Sequence, residues 1–189
     1  MSRIQLFTAD TVRAEQLGAY VARDWRDTPG LRTGWSVGFG PVTRVLFLQS
    51  LGEDGEPPPL PVAADGFLPE LRERQWVREV NPPGAGSDSI SVFELRTYDA
   101  RAGLGAGFIK LMLGALPIRE KYSRNYGIWE SLSGRHEQVL HLWGYRSLDE
   151  RDQVRAALRT DPDWQAYINT ILPMLQTLQS FILNPLPRC

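Results

Sequence analysis

Six side chains that can bind a ligand or move a proton recur at every second position in two short stretches of the chain. They are Glu94, Arg96 and Tyr98 in the first stretch and His141, Trp143 and Tyr145 in the second. The second stretch, VLHLWGY, has the strict alternation of a β-strand, and alternate side chains of a strand share one face. Each trio is therefore predicted to point in one direction.

A carboxylate, a guanidinium, an imidazole and several aromatic rings in one place suit a small organic ligand with an anionic or carbonyl group. We predict that Arg96 binds that group, and that His141 transfers a proton with its tautomer fixed by Glu94. An imidazole with its unperturbed pKa of about 6.5 works near neutral pH. The predicted substrate-binding side chains are Arg96, Tyr98, Trp129, Trp143 and Tyr145.

An alternative is that the same side chains are structural. Glu94, Arg96 and His141 would then form a satisfied polar network between packed layers, which holds those layers in register. Large aromatic side chains commonly fill such layers and form a hydrogen bond through one polar tip. The sequence leaves both interpretations open.

The second half of the chain predicts the order strand, helix, hairpin, helices, strand. Ser147 with Glu150 forms a capping box, and Asp161 followed by Pro162 is a second helix start. Pro173 should kink or end the last helix. The predicted elements are strands over 89–98, 126–132, 138–146 and 178–183 and a helix with apolar spacing over 104–122.

The first half repeats this order more loosely. Its predicted elements are a strand over 4–8, a helix over 14–25, hairpin strands over 32–39 and 43–51, and a Pro- and Gly-rich loop over 52–66. The turn-rich segment 81–88, NPPGAGSD, is typical of a linker. We predict a duplication with a degenerate first unit, residues 1–82, and a second unit, residues 83–189. Phe47 and Gln49 stand where the second unit has His141 and Trp143.

This order predicts an α+β protein built from tandem ferredoxin-like units. Each unit has a four-stranded antiparallel sheet with helices on one face, and its other face needs a cover. Two sheets can pack face to face within the chain as a pseudo-dimer, and pairing between chains in a homo-oligomer is the alternative.

The second half also carries an ordered set of motifs between Val92 and Pro185. They are Glu94-Leu95-Arg96-Thr97-Tyr98; His141-Leu142-Trp143 with Tyr145, Ser147-Leu148 and Arg151; Asp161-Pro162 with Trp164 and Tyr167; and Ser180, Ile182-Leu183 and Pro185. This set resembles the NIPSNAP family. The resemblance implies a dimeric α+β barrel. It also implies an alternative role as a non-catalytic scaffold or protein-interaction module, because mitochondrial relatives are associated with trafficking and mitophagy signalling.

The pleat assigns faces within such a barrel. We predict that Phe93 and Leu95 face the helices, which sends the six chemically active side chains to the barrel interior. The first and third strands of a unit are neighbours, so the two trios should meet there. Because Phe47 replaces the histidine in the first unit, we expect one site per chain.

Composition limits the classes of binding partner and the cellular location expected for this protein. A formal net charge of -1 with interspersed signs gives no broad footprint for nucleic acid or an anionic membrane. No apolar run approaches the roughly 20 residues that span a bilayer, and we expect a cytoplasmic protein. The single cysteine, Cys189, cannot form an internal disulfide. The preference for arginine over lysine suggests a GC-rich bacterial source.

We expect no cofactor and no metal. The glycine-rich segment 103–107 opens a helix, but Phe108 occupies the third-glycine position of a dinucleotide fingerprint. His136 and His141 are the two histidines, and no second cysteine stands near them. Haem-handling members of the superfamily use an axial histidine, whereas both histidines here lie in or near a hairpin.

Overall fold

Eight strands and three α-helices make up the part of the chain that the computed structural model describes, residues 3–18, 30–41, 43–51, 71–82 and 90–186. The strands are β1 Ile4–Thr11, β2 Leu31–Phe39, β3 Arg44–Ser50, β4 Leu71–Asn81, β5 Val92–Ala100, β6 Arg124–Ser131, β7 Gln138–Tyr145 and β8 Leu175–Pro185. The helices are α1 Gly105–Arg119, α2 Leu148–Thr160 and α3 Pro162–Ile171, with short 3-10 turns at Ala14–Gln16 and Leu172–Met174. The predicted helix over 14–25, the loop over 52–66 and the linker over 81–88 lie largely outside the described residues.

The eight strands close into one antiparallel barrel within a single chain. Their order around the barrel is β1-β3-β2-β8-β5-β7-β6-β4. Strands β1 to β4 lie next to one another around the barrel and form one quartet, in the order β4-β1-β3-β2. Strands β5 to β8 form the other quartet, in the order β8-β5-β7-β6. The pairs β2–β8 and β4–β6 join the two quartets. The predicted α+β barrel architecture is confirmed, and β5 and β7 are neighbours as expected.

Aromatic side chains fill one end of the barrel interior. Trp129 makes an edge contact with Phe7 at 5.2 Å between ring centroids, and Phe93 does the same with Tyr126 at 5.1 Å. The Trp129 indole donates a hydrogen bond to Oε1 of Gln5 at 2.7 Å. An eight-stranded barrel is just wide enough for side chains to fill, so these rings close that end. We call this group, with Trp35, the aromatic plug.

Gly127 explains how Trp129 reaches its place in the plug. The β6–β7 register shifts between Asn125 and Gly127, and Gly127 has a φ of +139°. A Cβ at this position would overlap the indole ring of Trp129. The bulge therefore needs glycine both for its backbone angle and for the ring that lies over it.

The three helices cover the outer face of the second quartet. Ser147 Oγ accepts a hydrogen bond from the Glu150 amide at 3.1 Å, and Asp161 Oδ1 accepts one from the Trp164 amide at 2.9 Å. Both predicted helix starts are therefore confirmed. α3 ends at Ile171, two residues before Pro173, as predicted.

A carboxylate of the chain itself occupies the N-terminus of α1. Glu137 has a φ of 58°, and its carboxylate accepts hydrogen bonds from the amides of Gly103 at 2.7 Å and Gly105 at 2.6 Å. These bonds lower the pKa of Glu137 below its usual value. The glycine-rich segment thus makes room for a side chain that caps the helix.

The predicted assignment of strand faces is wrong. Phe93 and Leu95 pack in the barrel interior, and the six chemically active side chains lie between the sheet and the helices. Hydrophobicity cannot tell the two faces of the sheet apart, because both are buried. Closure of the barrel buries the inner face, and the helices bury the outer face.

Candidate functional site

Polar groups gather on both sides of the wall that β5 and β7 form. On the outer side lies a group that we call the helix-side cluster. Its members are Glu94, Arg96, Tyr98, Arg119, His141, Trp143, Tyr145, Arg151 and Arg155. On the inner side lies a space at the end of the barrel opposite the aromatic plug, which we call the barrel-mouth cavity.

Glu94 is the anchor of the helix-side cluster and is 0% exposed. Its Oε2 accepts a hydrogen bond from the Tyr145 hydroxyl at 3.2 Å. Its Oε1 accepts bonds from Ser180 Oγ at 2.6 Å, Arg151 at 2.9 Å and Arg155 at 3.1 Å. Burial alone raises the pKa of the Glu94 carboxyl, but the hydrogen bonds from Arg151 and Ser180 and the charges of Arg96 and Arg151 outweigh it and lower the pKa from 4.5 to about 2. Glu94 is therefore an ionised, fully bonded carboxylate, as the structural alternative predicts.

Arg119 carries the most deeply buried positive charge of the cluster, at 2% exposure. Its guanidinium carbon lies 4.4 Å from the Trp143 ring centre and 5.8 Å from that of Trp164. It donates hydrogen bonds to Tyr145 Oη at 2.8 Å and to Ser123. Two indole faces and two hydroxyl groups thus hold this cation. The Tyr145 hydroxyl, which donates to Glu94, connects it to that carboxylate.

His141 is 1% exposed, and its Nε2 has no hydrogen-bond partner. Its ring stacks with Phe108 at 6.0 Å and lies 4.7 Å from the Tyr98 ring. Burial, and then the charges of Arg96 and Arg119, lower the pKa of His141 from 6.5 to about 3. The imidazole is therefore neutral at physiological pH, and its pKa lies well below the value expected from the sequence.

Glu94 does not form the predicted hydrogen bond with His141. The register explains this, because Glu94 lies opposite Trp143 while His141 lies opposite Arg96. The expectation that Glu94 fixes the histidine tautomer is wrong for this structure. A catalytic role for either side chain stays a prediction.

A small cavity lies beside Arg96 and His141. Its volume is about 10 Å³, and it is lined by Arg96, Tyr98, Met112, Arg119, His141, Trp143, Trp164, Tyr167, Ile168 and Ile171. Such a volume holds roughly one water-sized species. An organic substrate of ordinary size does not fit here, because small-molecule sites typically measure roughly 300 Å³ or more.

The barrel-mouth cavity has a volume of about 370 Å³, within the usual range for small-molecule sites. Its apolar lining comes from Phe7, Ala9, Leu46, Leu95, Leu140 and Phe181. Its polar lining includes Gln75, Thr97, Gln138 and Gln179. Apolar walls with a few hydrogen-bonding groups are typical of sites for small organic molecules.

Ion pairs and hydrogen bonds fix the rim of this cavity. Arg44 makes two contacts of 3.2 Å with the Glu73 carboxylate, and Arg135 lies 2.6 Å from Asp99. Asp99 also accepts from the Gln138 amide at 2.5 Å, and Gln138 in turn accepts from Gln75 at 2.6 Å. The charges of Arg44 and Arg135 are thus paired at the rim, and the third arginine of the lining, Arg74, is exposed to solvent.

Gln179 differs from the other two glutamines of the mouth. Its side-chain amide forms no hydrogen bond with the described part of the chain. It lies on the same face of the wall as Thr97, its cross-strand partner. This amide is therefore available to a ligand as both donor and acceptor.

The sequence reasoning missed the residues of the barrel mouth and assigned no site role to three arginines of the helix-side cluster, Arg119, Arg151 and Arg155. Gln138 precedes Leu140 by two residues, so the alternation that selected His141 also assigned Gln138 to the opposite face. Arg151 and Arg155 are four residues apart on α2, the spacing that places two side chains over one point. These two spacings are the sequence signals that could have identified the missed residues. Trp129, predicted to bind substrate, lies in the aromatic plug, and a substrate-binding role for it stays a prediction.

The described residues contain no group of three or more His, Cys, Asp or Glu side chains that could hold a metal ion. Among the helices of these same residues, none has the length and apolarity needed to cross a membrane.

Comparison with known proteins identifies relatives of the second quartet. The NIPSNAP family model matches residues 93–189, a little over half of the chain. Protein NipSnap homolog 2 of Mus musculus is 29% identical over 111 residues, which cover 59% of this chain and 38% of that protein. Protein NipSnap homolog of Dictyostelium discoideum is 29% identical over 116 residues, covering 61% of this chain and 52% of that protein. The chain thus spans about half or less of the length of these relatives.

Two kinds of solved structure are similar to this chain. An uncharacterized NIPSNAP domain protein from Burkholderia xenovorans is 34% identical with a TM-score of 0.50, and the match covers 52% of this chain and 97% of that one. A putative monooxygenase from Lactobacillus acidophilus is 9% identical with a TM-score of 0.71, and it covers 99% of this chain and 95% of that one. The second likeness shows the fold alone, across both quartets. The resemblance predicted from the motifs is confirmed, and the chain belongs to the NIPSNAP family.

Proposed function

We propose that this protein binds a neutral, largely apolar small molecule with a carbonyl or hydroxyl group in the barrel-mouth cavity. The observation that carries the proposal is a space of about 370 Å³ with an apolar floor and amide side chains around it. A closed barrel of this size can be filled by its own side chains, as it is at the plugged end. Open space at the other end therefore favours an occupant.

The charges at the rim select the ligand class. Arg44 is paired with Glu73 and Arg135 with Asp99, so neither guanidinium needs an anion from a ligand. Arg74, the third arginine of the lining, is exposed to solvent, which screens its charge. Gln179 keeps a donor and an acceptor available. A ligand with one neutral polar group at the rim and an apolar body against Leu95 and Leu140 matches this arrangement. The site differs from the predicted one, which used Arg96 and His141.

The test uses two related fluorescent probes, neutral N-phenyl-1-naphthylamine and its anionic counterpart, 1-anilinonaphthalene-8-sulfonate. We expect saturable binding of one neutral probe per chain and weaker binding of the anionic one. The Thr97→Trp variant should abolish binding, because its indole would occupy the cavity.

Leu178→Trp is the matched control. Leu178 is on the same wall, opposite Tyr98 in the β5–β8 register, and it is exposed. Its indole therefore adds the same group outside the barrel and should leave binding unchanged. Equal binding by both variants, or no saturable binding by the unmodified protein, would overturn the proposal and favour the protein-interaction alternative. A circular dichroism spectrum in the aromatic region checks that both variants are folded.

The same proposal includes the origin of the barrel. We infer that residues 1–82 and 83–189 are two copies of one ferredoxin-like unit, which form a pseudo-dimer. The support is that both quartets have the same internal strand order and that the joining pairs β2–β8 and β4–β6 are equivalent. A solved NIPSNAP chain matches only half of this chain over nearly its whole length.

Measurement of mass in solution tests the pseudo-dimer. A barrel closed within one chain predicts a stable folded species of 21.3 kDa on dilution. Unfolding that accompanies dissociation of a larger oligomer would contradict it. A cytoplasmic location in a bacterium stays a prediction from composition.

A further inference from the structure

We propose that the helix-side cluster binds one small inorganic anion, of the size of a halide, between Arg96, Arg119 and His141. This site lies on the outer side of the β5–β7 wall and does not depend on a ligand in the barrel mouth. Three observations carry it: the charge balance of the cluster, its unpartnered polar atoms and the size of its cavity.

The cluster contains more positive than negative charge. Its described residues include four guanidinium groups and one buried carboxylate, Glu94. Arg151 and Arg155 donate to that carboxylate and keep contact with solvent, since 17% and 37% of their side chains are exposed. Arg96 and Arg119 donate no hydrogen bond to it. Arg119 is buried and Arg96 is half-buried, and one carboxylate does not neutralise four guanidinium groups, so the excess positive charge at these two residues favours an anion.

Two donors beside the cavity have no partner. The Nε2 atom of His141 and the Nε atom of Arg96 are buried without a hydrogen bond. The guanidinium carbon of Arg96 lies 5.3 Å from the centre of the Tyr98 ring. Arg96 and His141 are cross-strand partners, so these groups lie side by side. In one of its two tautomers a neutral imidazole donates from Nε2. Together with Arg119 they supply donors from two directions.

The volume of the cavity limits the anion to a single small ion. About 10 Å³ accommodates roughly one water-sized species, which leaves no room for a phosphate or a carboxylate group with its substituent. Much of the remaining lining is aromatic, from Trp143, Trp164 and Tyr167. Arg96 is half-buried and gives the ion a path from solvent.

Thermal unfolding in chloride provides the first test, with ionic strength held constant by gluconate. Above the dissociation constant, each tenfold rise in chloride should multiply the folding equilibrium constant by about ten. In the Arg96→Gln variant this dependence should fall to near zero. Without chloride, this variant should fold at least as stably as the unmodified protein, because it lacks the unpaired cation.

Arg159→Gln is the matched control, since Arg159 is exposed on α2 and removal of its charge leaves the cavity intact. This variant should keep the full chloride dependence. His141→Phe provides a second probe and should weaken the dependence while leaving the Glu94 network in place. If Arg96→Gln and Arg159→Gln respond to chloride alike, the proposal is overturned.

Diffraction from crystals grown without chloride and soaked in bromide gives the position. The proposal predicts anomalous bromide density within hydrogen-bond distance of Arg96 and of Nε2 of His141. Density without an anomalous signal would identify a water site and overturn the proposal. A bromide peak with no chloride effect on unfolding would mean an adventitious ion only, and it would overturn the proposal as well.

Discussion

The two sides of the β5–β7 wall differ in charge and in space. The barrel-mouth cavity has paired charges at its rim, amides in its wall and a volume of about 370 Å³. The helix-side cluster holds an ionised glutamate and four arginines, and the cavity beside it measures about 10 Å³. The large cavity and the cluster of buried charged groups thus lie on opposite sides of one layer of β-sheet.

The separation follows from how each side is supported. Backbone hydrogen bonds close the barrel, so its wall stands without side chains that cross the lumen. The described helices have no such ladder to the sheet, and in this part of the chain side chains make the contacts between the two layers. Charged groups there need close partners, because desolvated charges without partners are costly. A ligand cavity is therefore compatible with the lumen, whereas the helix side requires dense packing.

Trp129→Ala is expected to have the largest effect, because it opens the plugged end of the lumen. Removal of a fully buried tryptophan costs about 3–5 kcal/mol in the free energy of unfolding. Urea denaturation measures this cost. Trp129→Phe should keep the edge contact with Phe7 and lose the hydrogen bond to Gln5, at a cost of about 1 kcal/mol. Equal losses in both variants would mean that the plug does not depend on ring packing.

Glu94→Gln tests the charged side of the wall. Loss of the carboxylate leaves buried donors without their acceptor and should cost about 3 kcal/mol. Because the pKa of Glu94 is lowered in the folded protein, its stabilisation is present above pH 4.5 and is lost as the pH falls toward about 2. The difference between the two proteins in urea should therefore shrink over that range. Glu130→Gln, in an exposed pair with Arg78, should cost less than about 1 kcal/mol.

His141→Phe should remove an acid-dependent loss of stability. The pKa of His141 is lowered from 6.5 to about 3, so the unfolded chain binds a proton that the folded one rejects between these values. The unmodified protein should then lose up to about 1.4 kcal/mol per pH unit below pH 6.5 relative to the variant. Unfolding in urea across this pH range measures the slope. His136→Phe, at an exposed site, should retain the loss, and an identical slope in both variants would contradict the assignment.

Gln179→Leu should have the smallest effect and should act on ligand binding alone. Loss of one neutral hydrogen bond at the barrel mouth weakens binding of N-phenyl-1-naphthylamine by up to about 1 kcal/mol, or roughly fivefold. The measurement is a fluorescence titration. Gln176→Leu, also exposed on β8, serves as the control with unchanged affinity. A shift in unfolding temperature larger than the change in binding would show that Gln179 supports the wall instead.

The helix starts at Ser147 and Asp161, the strands β5 to β8 and the family were predictable, because each depends on residues close together in the chain. The direction of each trio relative to the wall was not. Alternation shows that Glu94, Arg96 and Tyr98 share a face, but the same pattern fits either face when both are buried. Glu94 acquired its arginine partners from α2, some 57 residues further along the chain.

The sequence by itself determined the family, the order of elements and which side chains share a strand face, since these follow from local spacing and from motifs in order. Only the tertiary structure decided which face became the lumen, where space remained and how far the pKa of His141 fell. The physical reason is that these properties arise where the pairs β2–β8 and β4–β6 close the barrel and where the helices dock. They depend on contacts between residues far apart in the chain, which no local pattern records.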